Sequence, residues 1–97
     1  MAAILVITVQ GVSPQEIRKN LSIVDNFMRG KEDILTLYSD VRINPRIYYN
    51  PNQIRSKDIH DIVSLLRTDK DVNKSIHTIA YSGSLNKAWK RKLKMEA

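Results

Sequence analysis

There is no cysteine in this chain of 97 residues. That excludes a disulfide framework, a thiolate nucleophile and a cysteine-built zinc site. It agrees with a reducing compartment, so an intracellular location, cytoplasmic or host-cytoplasmic, is the expectation. Glycine and proline number three each, and no linker, repeat or low-complexity segment is visible. Long apolar runs are also missing. The most apolar stretch, around Ala3–Val9, falls far short of a membrane span. No Lys or Arg precedes it, and no small-residue cleavage motif follows before Gly11-Val12-Ser13-Pro14, so it does not read as a signal peptide. Histidine is scarce. His60 and His77 have no partner at metal-ligand spacing such as i, i+4. The end of the first strand, Gln10-Gly11, lacks the carboxylate that a small nuclease would place there. No enzyme activity, metal or cofactor is expected.

The sequence does hold enough apolar residues, 42%, for one core and one domain. Ala3–Val9 is rich in β-branched residues and reads as a strand buried on both faces, central to a sheet. Ser13-Pro14-Gln15-Glu16 is a helix start, with Ser13 as cap, Pro14 in the first turn and Glu16 completing a capping box. Ile17, Leu21, Val24 and Met28 follow on one helical face, widened by Ile23 and Phe27. The helix is predicted over 13–29, with Gly30 ending it in a left-handed turn.

A hairpin comes next. Ile34–Tyr38 reads as one strand, Ser39-Asp40 as a turn and Val41–Tyr49 as another. In that register Ile47 and Tyr49 share a face with Val41 and Ile43, while Arg42, Arg46 and Tyr48 point the other way. Pro45 fits a paired strand badly, so a second register with the turn at Asn44-Pro45 stays open. Asn50-Pro51-Asn52-Gln53 and Ser56-Lys57-Asp58 are both capping-type signals. Ile59, Ile62, Val63 and Leu66 mark a helix over 56–68. Thr68–Asp71 reads as a polar exit and Lys74–Ser82 as a fourth strand, with Ile76, Thr78 and Ala80 on one side and His77, Ile79 and Tyr81 on the other. Ser84 can cap a last helix with Leu85, Trp89 and Leu93 in a stripe.

This order predicts an α+β fold, a ferredoxin-like plait (βαββαβ) over residues 1–83, followed by a basic C-terminal helix over 84–97. The element order resembles that of an RNA-recognition motif. The likeness stops there: Pro45-Arg46-Ile47-Tyr48-Tyr49 lacks that family's glycine-aromatic pattern, and Ala3–Val9 has no aromatic.

Charge gives the functional lead. The net charge is +6, and residues 84–97 contribute five cations (Lys87, Lys90, Arg91, Lys92 and Lys94) against one acid, Glu96. Such asymmetry points to a polyanion. The expectation is a small non-enzymatic nucleic-acid-binding protein, DNA or RNA, contacting phosphates through these five residues. Arg42, Arg46 and Tyr48 form a second candidate surface, where cations flank an aromatic. A homodimer through the open sheet face is expected, because both faces of Ala3–Val9 are apolar and the helices cover one. No membrane partner is expected. The competing expectation is a protein-interaction module, an adaptor, inhibitor or assembly subunit, whose basic helix docks an acidic partner. Small size and the missing catalytic spacing suit an accessory protein of a virus or mobile element.

Overall fold

The computed structural model describes residues 3–29, 35–37, 46–51 and 55–96. The apolar N-terminal run forms β1, Leu5–Val9. Leu5, Ile7 and Val9 are buried, while Val6 and Thr8 are half-buried. A strand buried on both faces is therefore not what forms. The helices send their apolar side chains to the Leu5/Ile7/Val9 face, and the other face is only partly covered.

Helix α1 spans Pro14–Met28. The Glu16 N–H donates to Ser13 Oγ at 3.2 Å, and Glu16 Oε2 accepts from the Val12 N–H at 3.4 Å. The capping box thus closes one residue earlier than the Ser13 N–H that usually completes it. Leu21, Val24 and Met28 enter the core, with Ile17, Ile23 and Phe27 partly buried beside them. Arg29 closes the helix in an extended conformation; Gly30 lies outside the described residues.

Strands β2, Leu35–Leu37, and β3, Arg46–Pro51, follow. In β3, Ile47 and Tyr49 are buried, and Arg46 and Tyr48 take the opposite face, as the alternation predicts. Residues 38–45, with the Ser39-Asp40 turn, Arg42 and Pro45, lie outside the described residues. Asn50 and Pro51 do not begin a helix. They extend β3, opposite Thr36 and Leu35. Strand β1 pairs only with residues 46–49, so Pro51 sits past the stretch flanked on both sides, where a missing N–H is tolerated.

Helix α2 spans Ser56–Thr68 and buries Ile59, Ile62, Val63 and Leu66. The predicted polar exit is instead a short helix, α3, Lys70–Ser75. Asp69 serves both: its N–H donates to the Leu65 carbonyl at 3.1 Å, and its Oδ1 accepts from the Val72 N–H at 3.1 Å. Val72 then anchors α3 in the core.

Strand β4 is Ile76–Tyr81. The predicted faces need correction here. A register shift between Thr8 and Val9 pairs Val9 with Ile76 rather than with His77. The bulge puts Ile76 on the same face as Ile79 and Tyr81, all buried, and leaves His77 exposed. Strict alternation could not bury residues three apart on one face; one extra residue can.

The chain is α+β, with an antiparallel sheet in the order β2-β3-β1-β4. Strands β1 and β3 are central, and α1 and α2 share one core with them. The last helix, α4, spans Lys87–Lys92. Asn86, not Ser84, caps it: Asn86 Oδ1 accepts from the Ala88 N–H at 2.8 Å. The Ser84 carbonyl is engaged by Ser56 Oγ at 3.2 Å, which ties the loop to the start of α2.

Candidate functional site

The terminal segment folds back onto the domain. Leu93 and Met95 are buried in the main core, and Leu85 packs against it. The Trp89 ring lies on His60 of α2, with centroids 4.5 Å apart and planes tilted by 45°. His60 Nδ1 stands 3.3 Å from Asp61 Oδ1. The stripe expected from sequence thus faces α2 and the β4 edge, not the open sheet face.

Two backbone devices fix this position. The Met95 N–H donates to the Lys90 carbonyl at 2.9 Å and the Lys94 N–H to the Arg91 carbonyl at 3.2 Å. With Lys94 at φ 55°, this is a Schellman ending that carries lysine where glycine is usual. The ending turns Met95 inward. Beyond it the Glu96 N–H donates to the Ile79 carbonyl at 2.8 Å, occupying part of the outer edge of β4.

Arg67 secures the same segment from α2. Its Nε donates to the Leu93 carbonyl at 2.8 Å, its Nη2 to the Lys94 carbonyl at 2.8 Å and its Nη1 to Asn73 Oδ1 at 3.1 Å. Burial holds this guanidinium below its ordinary range. In the sequence Arg67 is one cation among many, 26 residues from Leu93, and no local pattern marks it.

The anchored segment leaves its cations outside. Lys87, Arg91, Lys92 and Lys94 are exposed and Lys90 is half-buried. Among the described residues none of the five forms an ion pair. Two cations at the start of α2 differ: Arg55, just before it, holds Asp58 at 2.8 Å, and Lys57 holds Asp61 at 2.8 Å. The Lys57 hydrogen bond, with that of His60 second, keeps the Asp61 carboxyl below the usual carboxylate range. Lys87, Lys90 and Arg91 border a concavity of about 420 Å3 together with Met95. Lys92 and Lys94 do not line it.

Arg46 and Tyr48 stand on the open sheet face, opposite Thr8 and Val6. They border a depression of about 410 Å3 with His77, Thr78 and Glu96. The Glu96 carboxylate sits among the residues that line it. Arg42, the third residue expected here, lies outside the described residues.

No protein family, curated protein or solved structure matches this chain. Function therefore rests on the site itself. Among the described residues no three His, Asp or Glu side chains are grouped to hold a metal ion. No helix of the described residues is long and apolar enough to cross a membrane.

One buried polar group stands apart from both surfaces. Among the described residues the Tyr49 hydroxyl has no partner in hydrogen-bond geometry. Burial foremost, and then the Asp25 carboxylate, push this phenol up from its ordinary value. Asp25 acts on it by charge while missing hydrogen-bond geometry.

Proposed function

We propose that this protein is a small, non-enzymatic nucleic-acid-binding protein that contacts phosphates through Lys87, Lys90 and Arg91, with Lys92 and Lys94 adding to the local field. The observation that carries the reading is a cluster of five cations without ion pairs among the described residues, on a segment fixed to the domain by Arg67, Leu93 and Met95. Cations held on an anchored element and without ion pairs among the described residues attract a polyanion and release its counterions on binding. The scaffold reads as a ferredoxin-like plait: the order β2-β3-β1-β4 with every neighbour antiparallel supports that reading. Arg46 and Tyr48 are a secondary contact surface.

The deciding experiment is binding to generic single- and double-stranded DNA and RNA across a salt series, for wild type and for K87Q/K90Q/R91Q. Wild type binds at low salt. Each phosphate contact contributes roughly −0.7 to −0.9 to the log–log salt slope, so losing three flattens it by roughly two to three. Absence of binding at low salt sinks the reading and favours an acidic protein as the partner of the same cations.

Pairing of two copies through the open sheet face belongs to the same proposal. Val6 and Ala80 are only half-covered there. Sedimentation at micromolar concentration that shows only an 11.2 kDa species removes it.

A further inference from the structure

We infer that the concavity beside α4 takes one nucleotide of a single strand, with its base against Met95 and its phosphate among Lys87, Lys90 and Arg91. This rests on nucleic-acid binding through α4 and specifies the form of the ligand. Lys87 and Arg91 are one helical turn apart, about 6 Å along the axis. With Lys90 they converge on one space of about 420 Å3 instead of forming a rail along successive phosphates.

The fourth wall is apolar. Met95 is 9% exposed and lines this concavity. A thioether makes favourable contacts with aromatic rings, and the methylene stems of the three cations extend the apolar wall. Inorganic phosphate would use the cations and leave Met95 idle. A nucleotide uses both. Trp89, the obvious stacking residue of the segment, already lies on His60 at 4.5 Å, so Met95 is the side chain left to meet a base. In a duplex the bases are stacked and paired, and reaching Met95 would require one to leave the helix. An unpaired strand presents its bases without that cost.

The test compares three probes of equal phosphate number at one salt concentration: oligothymidylate, an abasic deoxyribose-phosphate strand and a DNA duplex. Affinity is read by anisotropy, and the ε-methyl signals of Met95 and Met28 by NMR on 13C-labelled protein. The expected result is binding of oligothymidylate roughly two- to tenfold tighter than the abasic strand. The Met95 methyl shifts upfield with oligothymidylate only, while Met28, buried in the core, stays still. Equal affinity for strand, abasic strand and duplex with an unmoved Met95 signal overturns this inference and leaves phosphate binding by α4 standing. Failure of all three probes to bind overturns both. The wild-type protein suffices, so no variant's folding decides the outcome.

Discussion

Arg67 Nε donates a 2.8 Å hydrogen bond to the Leu93 carbonyl, across 26 residues of sequence. A second bond from the same guanidinium reaches the Lys94 carbonyl. Leu93 is the C-cap of α4 and Lys94 lies one residue past it, so neither carbonyl has a partner inside the helix. Arg67→Ala is expected to cost about 1.5–3 kcal/mol in denaturant unfolding, since hydrogen bonds from a charged donor are lost and the part-buried bond to the Leu93 carbonyl goes unmade, while the exposed Lys94 carbonyl is left to water. Hydrogen exchange should rise first in residues 87–96 and not in β1. A uniform rise across the chain would show that Arg67 supports the whole core and not the terminal segment.

Lys94 pairs an unfavourable backbone with a useful charge. Its φ of 55° places a Cβ-bearing residue in the left-handed region, at a cost of about 1 kcal/mol relative to glycine. Lys94→Gly should raise stability by about that amount and leave the Schellman ending intact. It should reduce the salt slope of nucleic-acid binding by less than one contact, because Lys94 does not line the α4 concavity. A drop of a full contact or more would place a phosphate on Lys94.

Gly83 is held to its residue type by Tyr81. A Cβ at position 83 would stand 2.5 Å from the Tyr81 ring, and Tyr81 is 6% exposed, so the ring has little room to yield. Gly83→Ala is expected to destabilise by about 1–3 kcal/mol, measured by urea unfolding. An unchanged midpoint would mean that the loop between β4 and α4 shifts freely, against its ties from Ser82 to Ile4 and from Ser56 to Ser84.

Tyr49 predicts a pH effect. Its phenol is raised above the ordinary 10.0 by burial first and by Asp25 second. A group whose folded value is raised contributes stability that is complete below pH 10.0. That stability is lost as pH rises through the folded value, because the unfolded chain gives up the proton first. Tyr49→Phe removes the loss and also a buried hydroxyl without a partner. Its unfolding midpoint should be unchanged or higher at neutral pH, by up to about 1 kcal/mol, and its alkaline transition should move upward. An alkaline midpoint that does not move would locate the sensitive group elsewhere.

Local signals in the sequence go far on the elements. Ser13, Pro14 and Glu16 set the start of α1, and the spacing of Ile59, Ile62, Val63 and Leu66 sets α2 over Ser56–Thr68. Helix α3 escapes because its stretch offers one apolar residue, Val72, and periodicity cannot be read from one residue. Its cap, Asp69, looks like any turn residue. The faces of β4 escape because a bulge reveals itself only against a partner strand.

The site divides in the same way. The cations of residues 84–97 are visible in composition, since charge needs no fold to be counted. The stripe of Leu85, Trp89 and Leu93 correctly marks an apolar side but cannot say what it meets, and α4 begins only at Lys87, after Leu85. What the sequence determines by itself is local: periodicity, caps and charge, each acting over a turn or a strand. Tertiary structure decided that Met95 turns inward, that Trp89 spends its ring on His60, and that Lys87, Lys90 and Arg91 border one space. These depend on Arg67 meeting main-chain carbonyls far along the chain and on a lysine held at positive φ. Such contacts form only once the core has brought α2, β4 and the terminal segment together.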